Sequence, residues 1–172
     1  MLQLAVGKEA ALKGALSGLI GGMAIKLVWQ AGQRAFMPEE RRVWSPTAEV
    51  VRKLAERSGK ALTTPQARMT AAAVYGGTML AYGTVYGMMQ QRKRPAAFAD
   101  ALLLATMMYA ANFPRFGVLP RMGILQAPGE QAPREAAVPV AAQLAYAGAM
   151  AFAFRALGRL PRSVGFSSWR SR

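Results

Sequence analysis

Four stretches of this chain are almost free of charge, and their lengths organise everything else. Met69–Gln91 carries no charged side chain in 23 residues, and Ala136–Phe154 carries none in 19. Ala96–Phe113 is interrupted by Asp100 alone, and Gly14–Gln33 by Lys26 alone. As a helix, Met69–Gln91 would be about 34 Å long, against a bilayer hydrocarbon core of about 30 Å. A surface helix keeps charges on its solvent side, and MTAAAVYGGTMLAYGTVYGMMQQ has none on any side. The pattern predicts an all-α protein: an integral membrane four-helix bundle forming a single membrane domain over 1–172. Its spans fall at about 14–33, 69–91, 96–113 and 136–157. A soluble bundle with long apolar core helices is the competing architecture. The spans are rich in Ala, Gly and Tyr rather than Leu, so each would insert only marginally alone and would depend on its neighbours.

The connections carry their own signals. Residues 1–13 form an amphipathic lead-in with Lys8 and Lys13. Glu9 and Lys26, and an apolar run continuing through Trp29, predict a retained first span rather than a cleaved signal peptide. In the polar segment 34–68, Ser45-Pro46 predicts a helix start and Gly59 its stop. This gives a short extramembrane helix over about 46–58. Its apolar face is Val50, Val51, Leu54 and Ala55, with Glu49–Lys53 and Glu56–Lys60 as pairs four apart. Trp44 suits an interfacial anchor; the helix lies on the membrane or serves as a solvated connector. Arg92-Lys93-Arg94-Pro95 reads as a tight basic turn. Four prolines between 114 and 135 (Pro114, Pro120, Pro128 and Pro133) predict an extended loop without helix. Pro139 is expected in the first turn of the last span.

Composition sharpens this picture. Of 172 residues, 53% are hydrophobic and only 17% charged, against about 25% charged in a typical soluble domain. Cysteine and histidine are both absent. That excludes disulfides, thiolate or imidazole metal sites and His-based triads. Lys and Arg number 22 against 8 acidic residues, a formal charge of +14. Such an excess serves nucleic acid, an acidic partner or a membrane surface. Its placement favours the membrane. Arg92, Lys93 and Arg94, and the C-terminal Arg155, Arg159, Arg162, Arg170 and Arg172, stand close to span ends, where they would meet anionic headgroups. With both termini on one side, that side holds ten basic residues and the other eleven. Density against the span ends decides for both termini cytoplasmic.

Between lipid-immersed helices, association needs close backbone approach. Gly14, Gly18 and Gly22 make a small-residue ridge on the first span. Gly83 and Gly87, with Gly76 and Ala72, do so on the second. Ala97, Ala101 and Ala105 do so on the third, and Ala137, Ala141, Ala145, Ala149 and Ala153 on the fourth. On the second span Tyr75, Met79, Tyr82 and Tyr86 share another face, as core filling or as a wall toward a ligand or partner.

Lys26 stands out, because a charged lysine near mid-helix costs about 2.5–3.5 kcal/mol on insertion. Asp100 lies too shallow to be its counter-ion and is expected to meet the nearby arginines. At Lys26's depth the other spans offer Tyr75, Thr106, Tyr109 and Gln143. The expectation is one buried polar cluster of Lys26, Tyr75, Tyr109 and Gln143. No residue pattern provides a nucleophile–base pair, paired carboxylates, a phosphate loop or a metal site, so no enzyme, cofactor or metal is expected.

GLIGGMAIKLVWQ (Gly18 to Gln30), followed by Pro38, Arg41, Arg42 and Ser45-Pro46, resembles the YagU-like family of small bacterial inner-membrane proteins. The stretch from Asn112-Phe113-Pro114 to Gly123-Ile124-Leu125 and Pro128 is similar to that family's segment after its third span. The resemblance implies an integral inner-membrane protein. Histidines recur in the family's later spans and are missing here; if they carry the family's function, this chain has lost it or uses Tyr, Asn and Gln instead. The expected function is therefore a non-enzymatic membrane protein with a structural or accessory role, as a homo-oligomer or within a larger membrane complex. A small oligomeric transporter or channel for an anionic solute ranks second. A soluble basic nucleic-acid binder ranks third.

Overall fold

The computed structural model describes residues 2–43, 45–92 and 97–159, with backbone alone for residues 2–6 and Arg92. The regular structure is all helical, with no strand among the described residues: α1 (Leu2–Phe36), α2 (Pro46–Arg57), α3 (Thr64–Arg92), α4 (Ala97–Asn112), α5 (Val118–Arg121) and α6 (Pro133–Arg159). Two short 3-10 turns, Glu39–Arg41 and Pro128–Glu130, punctuate the connections. Two helical stretches, Gly7–Phe36 and Pro133–Arg159, are long and apolar enough to cross a membrane, while α4 is apolar but shorter.

Local chemistry explains the boundaries. At α2 the Ser45 hydroxyl accepts from the Ala48 backbone N–H at 3.3 Å, with Pro46 beside it. Gly59, at φ 71°, ends the helix while the Lys60 N–H reaches back to the Ala55 carbonyl. α3 begins earlier than the expected span because Thr63 and Gln66 cap each other reciprocally. Gln66 Oε1 accepts from the Thr63 N–H at 3.0 Å, and Thr63 Oγ1 from the Gln66 N–H. The expected lead-in and first span are one continuous helix. The connection after Asn112 is not helix-free: Gly117 opens the single turn of α5. α6 starts at Pro133 with Glu135 in its first turn, so Pro139 lies inside the helix rather than at its start.

α1 is the central element and packs against both α3 and α6; α4 packs mainly on α6, and α2 on α3. Gly18 faces Met79 and Gly83, whereas Gly22 receives the Tyr75 hydroxyl on its carbonyl, so α1 and α3 run antiparallel. Gly21 faces Tyr146 and Gly32 faces Val138, which makes α6 antiparallel to α1 as well. Tyr86 donates to the Ala97 carbonyl and meets Phe154 edge-on, setting the start of α4 beside the end of α6. At the other end, Trp29 lies 5.8 Å from Phe113.

The interior is built of small residues, methionines and tyrosines: Met79, Tyr86, Ala101, Leu104, Ala105, Met108, Tyr146, Ala147 and Met150. Most large aliphatic side chains on the long helices, Leu104 and Val138 excepted, point outward. Leu12, Leu16, Ile20, Met23 and Leu27 form an exposed stripe along α1, and Leu80, Val85, Leu103, Met107, Leu144 and Phe152 are exposed on the other long helices.

Candidate functional site

The densest polar construction sits where α1 ends and α6 begins. After Phe36 the chain turns back on itself, and Gln33 holds it there. The Gln33 side-chain amide donates to the Val43 carbonyl at 2.8 Å and accepts from the Val43 N–H at 2.7 Å. Trp29, one turn earlier on the same face, donates its indole N–H to that carbonyl at 3.1 Å. Gln33 and Trp29 are both buried, so the returning strand of chain has its backbone groups met inside the protein.

Beside this clasp, Arg41 makes a two-pronged ion pair with Glu135, each N–H···O distance being 2.9 Å. Glu135 is 6% exposed and Arg41 46%, so the carboxylate is buried while its partner keeps one side in solvent. Arg41 also reaches Gln126 at 3.4 Å. Lys53 on α2 donates to the Met122 and Gly123 carbonyls at 2.6 and 3.3 Å. A cleft of about 220 Å³ opens between these parts, with Glu40, Arg41, Gln126 and Glu135 on its walls. Glu135 already neutralises the Arg41 cation, so the cleft offers no free positive charge, and Glu40 on its wall is an exposed carboxylate.

Several expected residues take other roles. Lys26 is exposed on the outer face of α1, between Met23 and Leu27. The cluster of Lys26, Tyr75, Tyr109 and Gln143 therefore does not form: the helical rotation that buries Gly22 and Trp29 turns Lys26 away. Tyr75 binds the Gly22 carbonyl at 2.6 Å, and Tyr109 stacks on Phe113 at 5.3 Å. Gln143 is buried on α6, and its Oε1, with the Tyr146 hydroxyl one turn on, has no hydrogen-bond partner among the described residues. Asp100 is buried and accepts from Gln90 at 2.8 Å. Trp44, the side chain of Arg92, residues 93–96 and the tail arginines Arg162, Arg170 and Arg172 lie outside the described residues. Arg155 and Arg159 are exposed.

Of the small-residue ridges, Gly14 and Gly18 sit directly against Gly83 and Gly87. A Cβ on Gly18 would lie 2.2 Å from the Met79 carbonyl oxygen, and one on Gly87 2.1 Å from that of Ala10. Gly22 instead meets the Met79 side chain. The alanine ridge of α6 is not its packing face. Ala137 and Ala141 are exposed and Ala145 and Ala149 half-buried, and of that run only Ala153 is buried, whereas Val138, Ala142, Tyr146 and Met150 are buried. Steps of four advance about 40° each around a helix of 3.6 residues per turn, so a long four-residue run winds off any one face. The stripe Tyr75–Met79–Tyr82–Tyr86 fills the interior.

On α2 the pairing also differs from expectation. Arg52, not Lys53, takes Glu49 at 2.6 Å and approaches Glu56 at 3.9 Å, because Lys53 is drawn to the α5 connection. The hydrogen bond and charge of Glu49, with Glu56 behind it, raise the Arg52 guanidinium further above its ordinary value.

The residues sequence reasoning missed are Trp29, Gln33, Arg41 and Glu135. Trp29 and Gln33, four apart on one helix face, and Glu135 behind Pro133 were the available signals. No group of three or more acidic side chains comes together among the described residues. No protein-family model, no curated protein and no solved structure matches the chain.

Proposed function

We propose that this chain is a multi-pass integral protein of the bacterial inner membrane, a non-enzymatic four-helix bundle with a structural or accessory role. The observation that carries this is the outward placement of large aliphatics on the four long helices, with Gly, Ala, Tyr and buried polar groups inside. In water such faces would be a liability far beyond scattered surface leucines. In lipid they are the matching solvent, and small residues at helix contacts are what association there requires.

The levels of the charges support the same reading. Lys13 to Arg34 on α1, with Lys26 alone between them, Arg68 to Arg92 on α3 and Glu135 to Arg155 on α6 each enclose about 30–36 Å of helix, enough for one hydrocarbon thickness. α2 with the 114–132 connection forms the extramembrane end. Both termini are cytoplasmic in this proposal, with Arg92, Lys93, Arg94 and the tail arginines at anionic headgroups. The YagU-like resemblance belongs to the same proposal: its Arg41 and its Asn112–Leu125 stretch lie around the clasp. The protein works as a homo-oligomer or in a larger membrane complex.

A transporter or channel for an anionic solute is the second reading. Lys26, its anion-selecting group, stands on the outer face of α1, so a second copy would have to enclose it. The exposed aliphatic faces also weigh against a soluble nucleic-acid binder, since they would stand in water.

Alkaline carbonate extraction and a topology map with tags after residues 60, 93, 125 and 172 test the proposal. The expected result is retention in the membrane pellet, with 93 and 172 cytoplasmic and 60 and 125 on the opposite side. Monodisperse behaviour in detergent-free buffer would overturn it.

A further inference from the structure

Between the second half of α1 and the first half of α6 lies an apolar groove of about 340 Å³. Gly32 and Val138 form its floor: a Cβ on Gly32 would lie 2.7 Å from a Val138 methyl, so the helices are in full contact there. Ala31 and Ala35 line one side and Ala137 and Ala141 the other, all four exposed, so the groove opens to the surroundings. Arg134 closes one end. It is exposed, and no hydrogen bond or ion pair is found for it among the described residues, because the neighbouring carboxylate, Glu135, is committed to Arg41. From Arg134 to Ala141 the groove follows the helix axis for about 10 Å.

We propose that this groove binds an anionic phospholipid, with one acyl chain laid along the alanine walls and its phosphate on the Arg134 guanidinium. The inference rests on the membrane placement proposed above and goes beyond it. Charge complementarity selects the ligand: an unpaired guanidinium at the end of a channel of methyl groups matches a phosphate at the end of a hydrocarbon chain. Arg in particular pairs two N–H groups with two phosphate oxygens. The groove direction agrees, since acyl chains run along the bilayer normal, as spanning helices do. The alanines create the space, because any longer side chain at 31, 35, 137 or 141 would occupy it.

The test uses the full chain purified in detergent, stripped of lipid, then titrated with phosphatidylglycerol or phosphatidylcholine and read by native mass spectrometry. Wild type is expected to retain phosphatidylglycerol about tenfold better than phosphatidylcholine, whose choline ammonium offsets the phosphate charge that Arg134 meets. Arg134→Gln should abolish that preference, while Arg159→Gln, at the far end, should keep it. Ala141→Leu, and independently Ala35→Leu on the opposite wall, should lower retention of both lipids. Inorganic phosphate at millimolar concentration should not displace the lipid. Equal retention of the two lipids by wild type, unchanged binding in both leucine variants, or displacement by inorganic phosphate would overturn the proposal. So would a dimer that Ala141→Leu converts to monomer, since a second copy would then fill the groove. Failure of the membrane reading would look different: the chain would stay dispersed without detergent.

Discussion

Gly14 and Gly83 meet backbone to backbone: a Cβ on either would lie 2.2 Å from the carbonyl oxygen of the other. Neither neighbour is a flexible side chain that can move aside. Gly83→Ala is therefore expected to separate α1 from α3 and to destabilise the fold by about 1–3 kcal/mol, the range for overpacking. Gly148 has open space where a Cβ would go. Gly148→Ala should instead gain about 0.5–1 kcal/mol from helix propensity. Reversible unfolding in mixed micelles, run on both variants, separates the two outcomes.

Gln33→Leu keeps the approximate size of the side chain and removes both hydrogen bonds to Val43. The Val43 carbonyl retains Trp29, whereas the N–H is stranded. A cost of about 1–3 kcal/mol follows, the penalty for an unmet buried group. Hydrogen exchange at Val43 and protease nicking in segment 37–43 should both rise, while exchange in the middle of α3 stays as in wild type.

Arg41→Ala leaves the buried Glu135 carboxylate without its fork of donors. Arg41 is partly solvated, so water enters and limits the loss to about 1–3 kcal/mol, below the figure for a fully enclosed pair. Arg41→Lys should recover only part of this, since an ammonium cannot span both oxygens. Thermal melts of the three proteins in one detergent give the order wild type, lysine, alanine.

Lys26→Leu should leave stability in detergent within about 0.5 kcal/mol of wild type, as for other exposed positions without partners. A loss of several kcal/mol would mean that the ammonium is held by buried groups after all. The same melts decide it.

What could be read from the chain was what is encoded locally. Ser45-Pro46 and Gly59 delimit α2 because a cap, a ring and a positive φ act within a few residues. Gly14 and Gly18 on α1 and Gly83 and Gly87 on α3 are likewise visible as glycines four apart, which permit backbone approach, whereas Gly22 meets a side chain and Gly76 has open space around it. Which ridge meets which depends on how the helices assemble, and the alanines of α6 misled because alanine also suits any helix surface. Lys26 misled for a related reason. Depth along a helix can be counted from sequence, but azimuth is set by the neighbours, and in α1 the glycines and Trp29 outrank one lysine. Glu135 and Arg41, 94 positions apart, leave no local trace of their pairing.

The interlocked carbonyls of α1 and α3 have a mechanical corollary. An axial displacement of either helix would carry these carbonyl oxygens off the glycines that make room for them, so the pair resists piston motion. Because α6 is seated just as closely on α1, at Gly21 and Gly32, the three helices resist axial shear as one block.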